Sequence, residues 1–113
     1  MVVADHDTAI ALRSGSVPVL ATPRVIALCE EATCVALASH LPEGCTTVGM
    51  RVQVDHLQPT AVGGQVEAEA VLEKIEGRRL TFSVSASDAK GLVAAGRVTR
   101  VLVEVERFLD KAR

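Results

Sequence analysis

Ala21-Thr22-Pro23-Arg24-Val25-Ile26-Ala27-Leu28-Cys29-Glu30-Glu31-Ala32 is the stretch whose reading decides the fold. It continues as an apolar segment to about His40 and reads as the one long helix of the chain. Thr22 is a good N-cap and Pro23 suits the first helical position, where its missing N–H costs nothing. Helical spacing puts Ile26, Glu30, Thr33 and Leu37 on one stripe and Val25, Cys29, Ala32 and Ala36 on a neighbouring one. A helix apolar around most of its circumference needs wrapping by something else. Leu41-Pro42-Glu43-Gly44 ends it.

Beyond Gly44 the period changes to two. Val48, Met50, Val52, Val54 and His56 are expected to share an inward row, with Gly49, Arg51, Gln53 and Asp55 opposite. Gly63-Gly64 reads as a bend, and Val66, Ala68, Ala70 and Leu72 form the next alternating row. Glu76-Gly77 is a tight turn, followed by Leu80, Phe82, Val84 and Ala86. Asp88-Ala89-Lys90-Gly91 is another turn. A last strand runs from about Leu92 to Val105 with Gly96 as its expected bulge, and a charged tail from Glu106 to Arg113 reads as a short helical end. Ahead of the helix, Thr8, Ile10 and Leu12 fit one face of a short strand, and Ser14 to Pro18 a loop. The reading is α+β: one central helix wrapped by a curved antiparallel sheet of about five strands, as a single domain over residues 1–113.

The composition narrows function. In 113 residues, 49% are hydrophobic and 23% charged, which excludes a disordered chain. A net charge of −2, with Phe82 and Phe108 the only aromatics, leaves no footprint for nucleic acid. No signal core and no bilayer-length apolar run is read, so the expectation is a cytoplasmic protein without a membrane partner. Cys29, Cys34 and Cys45 form no CxxC pair, and His6, His40 and His56 lie far apart, so no metal and no cofactor is expected. Cys29 is better read as small apolar filler than as a nucleophile.

Two polar groups fall on faces the pattern makes apolar. Glu30 lies in the stripe with Ile26 and Leu37, and His56 closes the inward strand row. A buried carboxylate needs a partner, and a carboxylate–imidazole pair is the simplest, also a general-base arrangement. Thr22 is the third candidate, at a helix start where N–H groups favour developing negative charge. A helix rotated by one position would turn Glu31 inward in place of Glu30.

These residues resemble a known family. The element order resembles the hot-dog fold thioesterases, and more narrowly fluoroacetyl-CoA thioesterase and its relatives. In that group a Thr opens the helix, a Glu follows eight residues later, and a His 26 residues further on, as Thr22, Glu30 and His56 do here. The likeness extends to Leu41, Gly49, Glu76 to Leu80, Val84-Ser85-Ala86 with Asp88, and Arg100. It implies hydrolysis of a small or medium acyl-CoA-type thioester by a homodimer paired edge to edge. Thr22 would be nucleophile or positioning hydroxyl, His56 general base, and Glu30 its orienting charge. Gly49 would offer its N–H to the substrate, and Arg100 is the arginine kept for the nucleotide. The family's namesake carries phenylalanines in a lid ahead of the helix. Leu12 to Leu20 has no aromatic residue, so fluoroacetyl selectivity is not expected. The rival readings are a non-catalytic acyl-CoA-binding dimer and, last, a hydratase, whose helix-side Asp and His motif is missing.

Overall fold

The computed structural model describes residues 1–113. Helix α1 (Thr22–Leu37) is followed by β1 (Cys45–His56), β2 (Glu67–Glu76), β3 (Arg79–Asp88), β4 (Gly91–Glu104) and a terminal helix α2 (Val105–Ala112). The four strands form one antiparallel sheet in the order β1-β4-β3-β2, leaving β1 and β2 as edges. α1 lies on its concave face, chiefly over β2 and β3, in the wrapped-helix arrangement expected above. No helix is long and apolar enough to cross a membrane.

The stripe Val25, Leu28, Cys29, Thr33 and Leu37 is the buried side of α1. Its apolar members Val25, Leu28, Cys29 and Leu37 pack with Phe82, Val84 and Ala86 of β3 and Val93, Ala94 and Val98 of β4 in one core cluster. Wrapping is incomplete: Val35, 77% exposed, marks an outer stripe that nothing in the chain covers. Two tight hairpins set the sheet register. Glu76 pairs with Arg79 around Gly77 at φ 61°, and Asp88 pairs with Gly91, itself at φ 127°. Both glycines hold left-handed backbone that other residues disfavour.

Three expectations are corrected. The sheet has four strands, not about five, because the segment from Asp5 to Leu12 is not a strand. Asp5–Asp7 is a 3-10 turn, and Thr8 keeps only an isolated bridge to Leu20. Short polar side chains there bond to nearby backbone and compete with a ladder: Asp7 accepts from the Ala4 N–H at 2.8 Å, and Thr8 accepts from the Ala11 N–H at 3.2 Å. The unbroken inward row of β1 is also wrong. A bulge between Gly49 and Arg51 flips the alternation. Thr47 and Gly49 therefore face α1 before it, Val54 packs on the core after it, and Met50 is exposed.

Gly96 is the third correction. It makes no bulge but pairs in register with both Val54 and Val84. A Cβ there would collide with the Gln53 carbonyl oxygen and lie 2.7 Å from the Val54 Cα. Backbone on a central strand has little room to yield, so Gly96→Ala is expected to lower unfolding free energy by about 1–3 kcal/mol. Denaturant titration of the two proteins measures it.

Candidate active site

Thr22 was expected to cap α1, yet the N-cap is Ala21, which makes no side-chain cap bond. Thr22 stands one position inside the helix, with Pro23 following. Its hydroxyl is thereby free of the capping task and lies 2.8 Å from Nδ1 of His56, at the far end of β1. The Nε2 atom of the same ring is buried and finds no partner within the chain. Nδ1 is therefore the nitrogen placed to exchange a proton with the hydroxyl, an arrangement suited to general-base activation of an alcohol.

The pair opens onto a cavity of about 310 Å³. Its walls come from two loops: Ser14, Gly15, Val17 and Val19 ahead of α1, and Leu57, Gln58 and Pro59 after β1. Beside the His56 imidazole the lining is aliphatic or polar, with no phenylalanine, tyrosine or tryptophan. Backbone bonds hold both loops to the pair: the Leu20 N–H donates to the Thr60 carbonyl at 2.8 Å, and the Leu57 N–H to the Val93 carbonyl at 2.7 Å. Thr60 is buried, and its hydroxyl donates to Asp88 at 2.8 Å, tying this wall to the β3–β4 turn. That hydrogen bond, followed by those from the Lys90 and Gly91 backbone, holds the Asp88 carboxyl below the usual carboxylate range.

Glu30 does not meet His56 within this chain, correcting the carboxylate–imidazole pair expected above. The reason is distance: eight residues of helix separate Glu30 from Thr22, roughly 12 Å at 1.5 Å each. Glu30 lies instead beside Gly49, where a Cβ would come 2.6 Å from its Oε2. Arg100 reaches the same oxygen at 3.4 Å while donating to the Thr47 hydroxyl at 2.9 Å and the Thr47 carbonyl at 3.0 Å. Arg100 is buried, so it holds Glu30 rather than reaching out to a nucleotide as a surface arginine would. Between the two carboxylates, Glu30 is the one turned toward β1. Glu31 is exposed and lies 3.6 Å from Arg24. Cys29 is fully buried, and burial pushes its thiol pKa up, away from nucleophilic use.

The predicted residues thus form two clusters, Thr22 with His56 and Glu30 with Gly49 and Arg100. Sequence reasoning missed the cavity walls, Thr47 and Thr60. Leu57-Gln58-Pro59-Thr60 carries only turn chemistry of the kind that ends a strand, and nothing local in it signals a pocket.

Residues 3–106 match the family described as fluoroacetyl-CoA-specific thioesterase. The chain belongs to that family. The fluoroacetyl-CoA thioesterase of Streptantibioticus cattleyicolor is 35% identical over 95 residues, 84% of this chain and 68% of the relative. A solved structure of the fluoroacetyl-CoA thioesterase FlK superposes with a TM-score of 0.95 at 32% identity, covering all of this chain and 88% of FlK. A hot-dog-like protein from Thermanaerovibrio acidaminovorans gives 0.90 at 28% identity, over 99% of this chain and 83% of the other. The protein is accordingly a hot-dog thioesterase, and the wrapped helix described above is the hot-dog helix.

Because the folded Asp88 carboxyl has a lowered pKa, its contribution to stability is full above the unfolded carboxylate range and is lost as pH falls through the folded value. Asp88→Asn should remove this acid-side loss, so that melting temperatures of variant and wild type converge at low pH and separate toward neutrality. Thermal melts from pH 2 to pH 7 provide the comparison (roughly the window spanning the carboxylate range).

Proposed function

We propose that this thioesterase hydrolyses short- to medium-chain acyl-CoA thioesters, with Thr22 and His56 as the reacting pair. The observation that carries the reading is the 2.8 Å contact between the Thr22 hydroxyl and His56 Nδ1 at the mouth of an aliphatic cavity. Related FlK structures are described in complex with acetyl-CoA and, in a phenylalanine-to-alanine mutant, with fluoroacetate and CoA. The loop ahead of α1 contributes Val17 and Val19 to this cavity and no phenylalanine, so the acyl group meets aliphatic side chains and fluoroacetyl selectivity is not expected.

In the proposed reaction His56 Nδ1 takes the Thr22 proton as the oxygen attacks the thioester carbonyl. The C–S bond breaks, the sulfur leaves with the proton from His56, and an acyl-threonine remains for water to cleave. A carboxylate is wanted for that second step, and Glu30 of the same chain is too far along α1. An edge-to-edge homodimer supplies one. β1 has an unpaired edge, and Met50, Val52 and Leu57 on or beside it are exposed, as is Val35 of α1. Two copies of β1 pairing antiparallel about an axis between Val52 and Gln53 set His56 of one strand opposite Gly49 of the other. Each site would then combine Thr22 and His56 of one subunit with Glu30 and Gly49 of the partner subunit. Gly49, without a Cβ, leaves its N–H approachable by a carbonyl oxygen.

General-base catalysis contributes about 10²–10⁴ in rate, and His56→Ala is expected to lose that much kcat on acyl-CoA substrates. A thiol-release assay over a chain-length panel measures it. Unchanged turnover would overturn the assignment of His56. Melting shifts on acyl-CoA with no thiol release from the wild type would indicate an acyl-CoA-binding dimer instead.

A further inference from the structure

A second groove lies at the opposite end of α1. In β2 the register slips between Leu72 and Lys74: Leu72 is opposite Phe82, and Ile75 is opposite Leu80. The extra residue turns Ile75 onto the concave face shared by Leu72, Leu80 and Phe82. Glu73 points to the other face, where it accepts a hydrogen bond from the Ser83 hydroxyl at 2.8 Å. α1, however, has ended at Leu37. The bulge therefore extends the apolar inner face past the helix that would cover it, leaving Leu72 exposed and Ile75 63% exposed.

Leu37, Leu72, Ile75, Leu80 and Phe82 line a groove of about 490 Å³, with the Leu41-Pro42 turn along one side. Its size falls in the roughly 300–1,000 Å³ range of small-molecule sites. It shares no lining residue with the Thr22–His56 cavity. The two ends of α1 are roughly 22 Å apart at 1.5 Å per residue.

The rim carries a guanidinium without a partner. Arg78 and His40 both line the groove, and neither side chain makes a hydrogen bond or an ion pair. Arg78 also borders a smaller cleft with Arg107 and Lys111, beside Glu104. The nearby Glu76 is held by Lys74 at 3.3 Å. An apolar trough with a free guanidinium at its mouth is complementary to a flexible alkyl chain ending in a planar anion, which arginine can grip through two parallel N–H bonds.

We propose that this groove is a binding site for a medium-chain alkyl carboxylate, its tail against Leu72, Ile75, Leu80 and Phe82 and its carboxylate on Arg78. The site is independent of the thioesterase reading, since none of its residues belongs to the proposed reaction.

The test is methyl NMR of the full chain titrated with decanoate below its micelle concentration. The Ile75, Leu80 and Leu72 methyls should shift saturably. Arg78→Gln should weaken decanoate about tenfold, as loss of one charge-assisted bond implies, and Ile75→Glu should abolish the response. Position 75 is largely exposed, so the remaining methyl spectrum of the Ile75→Glu protein should stay that of the folded wild type. Decyltrimethylammonium, with the same tail and opposite charge, should bind at least tenfold more weakly. Equal binding of the cation, shifts confined to Val19 and Leu20 at the other cavity, or no saturation would each overturn the proposal. So would Ile75 shifts that follow protein concentration without decanoate, which would make a second copy the occupant.

Discussion

The register of α1 on β1 is the constraint on which the rest of the site depends. The helix lies across the concave face and touches that strand through two polar positions, Thr22 at His56 and Glu30 at Gly49. The contacts lie eight residues apart on α1 and seven apart on β1, and strand positions an odd number apart face opposite sides of an unbroken strand. Both face the helix because β1 is bulged at Met50, which returns His56 to the helix side. Gly49 is part of the same constraint. Any side chain there would occupy the space of the Glu30 carboxylate.

From that register follows the separation of the two clusters. Arg100, buried between Thr47 and Glu30, keeps the carboxylate on its own end of β1, while Thr60 and Asp88 hold the cavity wall at the other. Each cluster is braced by its own polar contacts, so neither needs the other to be ordered. The proposed dimer is the arrangement that lets them act together, since the free edge that joins two copies is the same strand that carries His56 and Gly49.

Much of this was legible in the residues. The Thr, Glu and His spacing and the change of period at Gly44 pointed to the hot-dog helix, its sheet and three of the side chains now in the clusters. Gly77 and Gly91 marked their hairpins because each turn requires left-handed backbone. What escaped was what depends on contacts distant in sequence. The Glu30–His56 pairing failed because stripe periodicity gives a side chain's face but not its height along the helix. The inward row of β1 failed at its start, at Val48 and Met50, because one extra residue beside Gly49 puts Thr47 and Gly49 on the helix side while Val54 and His56 keep the face expected of them, and the alternation of residue types does not show the extra residue. The N-cap failed by one residue. That residue matters, since it frees the Thr22 hydroxyl for His56. The strand expected near Thr8 was lost to Asp7 and Thr8 bonding their own backbone.

The central claim is that each active site draws on two subunits, and mixed dimers test it most directly. His56→Ala and Glu30→Gln chains, each expected to be inactive alone, are unfolded together, refolded at equal ratio and assayed for thiol release. If the site is shared, half the dimers are mixed and each carries one intact site, so the mixture recovers about a quarter of wild-type activity. A mixture no more active than its two components would contradict the shared site and place the whole reaction within one chain.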